Sequence, residues 1–580
     1  MKPLLLLIAG CISSQLFAQE TSLTGDTAIK QALIAIDSFQ TQEAKRDSVL
    51  HHPLGSNTEE DFARRYNFFC TINDRLSAID KKKLSFDDNI NLELLQYSIG
   101  DEISSYRYKS YLNPILSDEG FHTGLAAMGD ELPGSKAAFE DYIDRLKDIP
   151  RYVDEFICLM RKGLSLGICQ PRSILDGYQN TYEQQIVDSP EQSVFWKPFS
   201  QKPVAISNKD WAILQAAGRE AIMHDAVKAY KHIKLFFDKE YLPHTRKTIG
   251  VLHFPDGLAY YKDRVRHYST TDLSYDEIYN LGLQEVARIH AEMLAVLKEV
   301  HFNGTLKAFI GYLRTNPKFY VSTADQLLKE ASFIAKNADG QLPMFFGKLP
   351  RQPYSVEPVP AHLAPTYTAG RYSGAPVNSR RAGEYWVNTF DLKSRPLYVL
   401  EALTLHEAVP GHHLQIALAQ ELTNLPAFRQ HLYVNAFGEG WGLYAEYLGT
   451  EMGFYKNPYA HFGRLTYEMW RACRLVIDVG LHAKGWTKQQ AVDYLAAHTA
   501  LSMHEVNTEV NRYISWPGQA LAYKIGELKI RELRKRAEDK LKEKFDLREF
   551  HDLVLSQGTV TLGILEKMVD RYIQQKLQQP

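Results

Sequence analysis

Leu403-Thr404-Leu405-His406-Glu407-Ala408-Val409-Pro410-Gly411-His412-His413-Leu414-Gln415 sets an imidazole and a carboxylate at the end of an apolar run, with two more imidazoles beyond a Pro-Gly break. Further on, Phe437-Gly438-Glu439-Gly440-Trp441-Gly442-Leu443-Tyr444-Ala445-Glu446 supplies two more carboxylates. Imidazole and carboxylate at helical spacing, joined by an acid from a later helix, make the donor set of a catalytic zinc site.

The spacing needs the break. Zinc peptidase helices carry two histidines four residues apart, because i and i+4 share one face. Here the fourth residue after His406 is Pro410. On an unbroken helix His412, at i+6, lies about 120° off the His406 face, and His413, at i+7, lies about 10 Å along the axis. Pro410 cannot continue the hydrogen-bond ladder, and Gly411 is free to turn. A Pro-Gly bulge that absorbs two residues returns His412 to the i+4 place. His406 and His412 are therefore read as metal ligands, with His413 as the alternative second ligand. Glu439 is the third and Glu446 its alternate. Flanking Gly438 and Gly440 let the Glu439 helix come close. Glu407, next to a ligand, is placed as general base for a zinc-activated water.

Outward from this stretch the pattern is helical. From Pro396, at a first helical position, Leu397, Leu400 and Leu403 carry the period into His406. Upstream, Ser274 and Glu277 form a capping box before Ile278, Leu281, Val286, Ile289 and Met293. Between residues 27 and 247 apolar residues recur at three and four, broken near His52–Gly55, Leu132–Gly134, Gln170–Pro171 and Lys202–Pro203. Prolines crowd residues 343–376, where Tyr354–Glu357 and Gly383–Phe390 read as strands. Such a small sheet could offer an edge to an extended peptide. The charged run Lys524–Lys544, with Glu527–Arg531, Glu532–Arg536 and Glu538–Lys542 at i, i+4, reads as a solvated helix face.

The expected fold is mainly α, a large helical protein with a small β-sheet near the metal site. Its parts are a signal peptide over 1–18, an N-terminal helical subdomain over 19–250 and a catalytic helical subdomain over 251–580, with short strands around 354–390. Lys2, the apolar Leu4–Ile8 and Ala18 before Gln19 support export to the periplasm or medium. Ile8-Ala9-Gly10-Cys11 offers the rival reading of a lipoprotein anchored at Cys11. No later stretch reaches the roughly 18–20 apolar residues that span a bilayer. At 580 residues with a formal net charge of −2, the chain has no basic excess to neutralise nucleic acid. Of the remaining cysteines, Cys158 and Cys169 are near enough in sequence to pair.

The motifs His406–Gln415 and Glu439–Glu446 closely resemble those of the bacterial family catalogued as domain of unknown function 885. Pro255-Asp256-Gly257, Thr270–Leu273, Glu509-Val510-Asn511-Arg512-Tyr513 and Pro517-Gly518-Gln519-Ala520 also match it. Gly442 stands where the family commonly has alanine. The layout is similar to the large α-helical zinc peptidases of the gluzincin type, which implies a deep cleft with zinc at its floor. Those enzymes stabilise the oxyanion with a tyrosine from a late segment, so the resemblance points to Tyr523, or Tyr513 in second place. Arg512 can hold a substrate carboxylate in a bidentate grip, and His413 and Tyr513 are read as substrate contacts. The function expected is an exported zinc metallopeptidase acting on peptides. A metallohydrolase of a small non-peptide amide or ester, and a non-catalytic exported metal-binding protein, are the alternatives. Glu407 speaks against the last, since a site that only binds metal needs no base.

Overall fold

The computed structural model describes residues 25–361, 363–375 and 381–579. The signal peptide over 1–18, and Cys11 with it, lies outside them. Among the described residues, nineteen helices of eight residues or more, α1–α19, and three short strands give a mainly α protein. The chain divides into two compact units. One holds the described residues up to Thr248 with His253–Asp256; the other holds Ile249–Leu252 and the chain from Gly257 on.

The first unit contains α1 (Gly25–Leu50), α2 (Glu59–Ser77), α3 (Phe86–Arg107), α4 (Lys136–Ser165), α5 (Asn208–Ala221) and α6 (Val227–Phe236). The four breaks expected from Pro and Gly all fall between helices. Phe139, Tyr142, Leu146, Ile149 and Val153 recur at three and four along α4 and are fully buried. Thr58 caps α2 reciprocally with Asp61. Cys70, Cys158, Cys169 and Cys473 are all free, so the Cys158–Cys169 pairing is not made.

The second unit runs through α7 (Gly257–Ser269), α8 (Tyr275–Glu299), α9 (Leu306–Thr315) and α10 (Ala324–Phe345) into a sheet. The Ser274–Glu277 box forms as expected: Glu277 N–H donates to Ser274 Oγ, and Ser274 N–H donates to Glu277 Oε2 at 2.8 Å. The sheet has β1 (Tyr354–Pro358), β2 (Gly370–Ser373) and β3 (Gly383–Val387) in the order β1-β3-β2. Central β3 pairs in parallel with β1 and antiparallel with β2.

Then come α11 (Leu400–Glu407), α12 (His412–Gln420), α13 (Asn435–Leu448), α14 (Pro458–Ala483), α15 (Lys488–His498), α16 (Met503–Ser515), α17 (Ala522–Leu541), α18 (Leu547–Leu555) and α19 (Leu562–Gln578). Helix α14 is buried on all sides and is the axis of this unit. At Gly282 an added Cβ would lie 2.7 Å from Leu475, so the glycine sets the close approach of α8. Arg464, Glu468, Arg471, Arg474 and Asp478 nonetheless line α14 at helical spacing, buried and each engaged with a polar partner.

Helix α17 departs from the solvated face expected of it. Lys524 is fully buried, with Glu468 at 2.8 Å, Glu527 at 2.9 Å and Glu285 at 3.0 Å. The Glu527–Arg531 and Glu532–Arg536 pairs form, at 2.9 and 2.6 Å. Glu538 pairs instead with Arg534 at 2.9 Å, because the helix ends at Leu541, before Lys542. Among the described residues no helix is long and apolar enough to cross a membrane.

Candidate metal centre

The Pro-Gly segment ends one helix and begins another. The bulge expected within a single helix is therefore replaced by a four-residue link, Ala408–Gly411, between α11 and α12. Ala408 N–H donates the last α-type bond to Thr404, and His413 N–H closes the link on Ala408 O at 3.1 Å. Pro410 has no N–H to donate. Its carbonyl accepts the indole N–H of fully buried Trp441, at 2.8 Å. The tryptophan of the second motif thereby clamps the break in the first.

Helix α13 crosses this link with a series of glycines. Gly442 faces the His406 ring, where a Cβ would lie 2.7 Å from Cε1. Gly440 meets Gly526 of α17, and Gly438 makes room for the Tyr433 ring. The residues beside Glu439 therefore admit α17 and Tyr433, and Gly442 is the one that admits the histidine.

This packing gathers His406, His412 and Glu439, with one donor atom from each within 4.8 Å of the others. Glu439 Oε2 lies 3.7 Å from His406 Nε2 and 3.5 Å from His412 Nε2. A tetrahedral centre with bonds of about 2.0–2.1 Å separates its donors by about 3.3–3.4 Å. Glu439 Oε2 thus stands near co-ligand spacing from each histidine nitrogen. On the far side of the ring, His406 Nδ1 bonds Glu446 Oε1 at 2.8 Å, and Arg471 approaches that oxygen at 3.3 Å. Glu446, the alternate ligand, accordingly serves as the partner that orients His406. Among the described residues His412 Nδ1 and Glu446 Oε2 are buried without hydrogen-bond partners.

Burial opposes charge on His406, but Glu439 and Glu446 raise its pKa to about 9. Burial likewise opposes charge on Glu439, yet the His406 and His412 rings hold its carboxyl well below the ordinary range. The cluster thus favours a positive charge at its centre, which a proton or a divalent ion can supply. Two imidazole nitrogens from buried histidines and an oxygen of a half-buried carboxylate fit zinc.

Glu407, next to His406 in the chain, also reaches the sheet. Its Oε2 accepts the N–H of Tyr372, on edge strand β2, at 2.8 Å. His413 Nδ1 bonds Tyr372 Oη at 3.0 Å, and its ring packs on Tyr354. Burial lowers the His413 pKa to about 4. His413 is only 2 % exposed, so the expected substrate contact is replaced by support of β2.

The late segment is only partly available. Tyr513 is buried, and its hydroxyl accepts Trp470 Nε1 at 2.7 Å and Arg474 Nε at 2.9 Å. It is walled off from substrate, contrary to expectation. Arg512 grips Glu509 (Nη2 at 3.0 Å) and Gln519 (Nη1 at 2.5 Å), so its guanidinium is committed within the fold and not held for a substrate carboxylate. Tyr523 is half-buried, and its hydroxyl has no hydrogen bond among the described residues. The Arg474 guanidinium lies 4.1 Å over its ring.

Three functional neighbours escaped the sequence reading. Tyr433, 39 % exposed, sets Oη 3.3 Å from Glu439 Oε1. Tyr372 holds Glu407, and Arg471 holds Glu446. For Arg471 a signal was present: the charged residues of the 464–478 run recur at three and four within an otherwise apolar helix.

Fold and site define a mainly α protein with a two-histidine, one-glutamate cluster whose histidines are buried. The chain belongs to the family of bacterial proteins of unknown function DUF885, whose model matches residues 42–569. No curated protein matches. Among solved structures, a candidate lipoprotein from Colwellia psychrerythraea is 27 % identical with a TM-score of 0.86, over 95 % of this chain and 99 % of that one. A candidate lipoprotein of unknown function from Shewanella oneidensis, 17 % identical with a TM-score of 0.69, covers 94 % of this chain and 100 % of its own, and shares the fold.

Proposed function

We propose that the protein is an exported zinc metallopeptidase. The observation that carries this reading is the juxtaposition of His406 Nε2, His412 Nε2 and Glu439 Oε2, with Glu446 behind His406. These three side chains would hold the ion, which when bound would polarise water and a substrate carbonyl.

The chain's own groups supply the rest. Glu407 Oε2 is fixed by the Tyr372 N–H, while Oε1 has no hydrogen bond among the described residues and is the oxygen that takes a proton from water. Tyr523, its ring covered by Arg474, is the candidate donor to a developing oxyanion. The outer edge of β2 turns its Tyr372 N–H toward Glu407, which supports an extended peptide as the substrate laid beside it. The N-terminal apolar segment supports export. Cys11, together with the candidate lipoprotein from Colwellia psychrerythraea, supports an anchored form.

The test is Glu407→Gln. The amide keeps the shape and cannot accept the proton. Zinc content should stay at the wild-type level while peptide turnover falls by about 10²- to 10⁴-fold. Wild-type turnover in the variant would overturn the mechanism. Hydrolysis of simple esters with no peptide cleavage would move the substrate class.

A further inference from the structure

The second oxygen of Glu439 has a partner that the donor cluster does not account for. Oε2 is the oxygen near both histidines, at 3.7 and 3.5 Å. Oε1 accepts the hydroxyl of Tyr433 at 3.3 Å. Tyr433 precedes α13, and its ring lies over Gly438, one residue before Glu439. A Cβ at Gly438 would stand 2.3 Å from Tyr433 Oη and 2.4 Å from Cζ, so glycine there is what lets the ring reach the carboxylate.

We propose that Tyr433 is a positioning residue that makes Glu439 a one-oxygen ligand. The inference rests on the metal-site reading above. A carboxylate beside a divalent ion can offer one oxygen or both. With Oε1 held by a hydroxyl, only Oε2 is presented to the centre, and a coordination place stays open for water or substrate. Without the hydroxyl, Oε1 would be free to swing in beside Oε2 as a further donor and would raise the coordination number of a bound ion. The hydroxyl also removes the rotational freedom of a side chain that must otherwise be ordered when metal binds, so its loss weakens binding as well. Tyr433 acts through Glu439 in this account and touches neither metal nor substrate. Tyr523 has no hydrogen bond to Glu439, which separates the roles of the two tyrosines.

The experiment uses the full chain, stripped with a chelator and titrated with Co²⁺ as the optical probe, in wild type, Tyr433→Phe, Gly438→Ala and Tyr523→Phe. Gly438→Ala keeps the hydroxyl and pushes it off Glu439, so it provides an independent route to the same state. Wild type and Tyr523→Phe are expected to bind equally, with the intense visible band of four-coordinate cobalt. Tyr433→Phe and Gly438→Ala are expected to bind about 10- to 100-fold more weakly, with a fainter band that marks a fifth donor. Circular dichroism and thermal unfolding of the metal-free proteins check that folding is retained. If a variant fails to fold, the other decides. Wild-type affinity and an unchanged band in a folded Tyr433→Phe would overturn the proposal and leave the metal site standing. Absence of Co²⁺ binding in wild type would overturn both.

Discussion

At Gly411 a side chain has nowhere to go. A Cβ there would lie 1.9 Å from the His406 carbonyl oxygen and 2.5 Å from that of Leu405. Its φ of −78° is ordinary, so the demand is for space and not for a left-handed backbone. Gly411→Ala must therefore push the link away from α11 and carry His412 with it. We expect a loss of about 1–3 kcal/mol from overpacking together with weaker metal binding, read by thermal unfolding and by zinc content on one preparation. Unchanged zinc content would mean that the link does not set the His412 position. At this scale much of the site was legible. His406, Glu407, His412 and Glu439 announce themselves because their residue types are rare at such spacing. Glu446 was legible as a carboxylate of the site but not as the partner of His406 Nδ1, since sequence does not tell the near side of a ring from the far side. Tyr433 and Tyr372 were not legible at all. Their roles come from one hydroxyl and one backbone N–H that the fold brings up from other elements.

Among the elements, α14 shows how charge can be buried in the axis of a helical unit. Arg471 leads through Glu446 to His406, so one end of its polar stripe belongs to the site. Asp478, on the same helix, is fully buried and accepts Tyr261 Oη at 2.7 Å and the Gly518 N–H at 3.2 Å. Burial dominates those bonds and raises its pKa to about 7. In the unfolded chain an aspartate titrates near about 3.9. Between these values the native state keeps a proton that the unfolded chain has released, so this group's contribution to stability falls as pH rises. The slope is at most about 1.4 kcal/mol per pH unit. Asp478→Asn keeps an acceptor for Tyr261 and removes the titration. Unfolding midpoints of both proteins, followed from about pH 4 to about pH 7, should show wild type losing ground to the variant. A constant gap would contradict the assignment. Helix periodicity and caps made most elements readable, as at Ser274. Strand β2 was not readable, because it is four residues long and held in place by β3 and Glu407 instead of by any pattern of its own. The Pro-Gly segment was read as a bulge and is a break. Proline and glycine predict that a helix is interrupted, but the Trp441 bond that fixes how it resumes is a tertiary contact.

Over the whole molecule the two metal-site motifs and the 509–526 segment fall into the second unit. The first motif gives α11, the link and α12; the second gives α13. The 509–526 segment supplies Glu509 to Arg474, sets Tyr523 beneath that arginine and buries Lys524 among three carboxylates. Composition foretold none of this buried ionic framework. A formal charge of −2 spread over 580 residues says nothing about which charges lie inside, and the run at 524–544 looked solvated because its pairs sit at i, i+4. The account as a whole stands on one claim, that His406, His412 and Glu439 hold a metal while His413 supports the sheet. Zinc per chain, measured by elemental analysis on wild type, His412→Ala and His413→Ala after equal exposure to zinc, tests it most directly. The account predicts about one zinc in wild type, as a single catalytic-type site requires, nearly as much in His413→Ala, and little in His412→Ala. A wild type without zinc, or a His413→Ala protein that loses it while His412→Ala keeps it, would contradict the account.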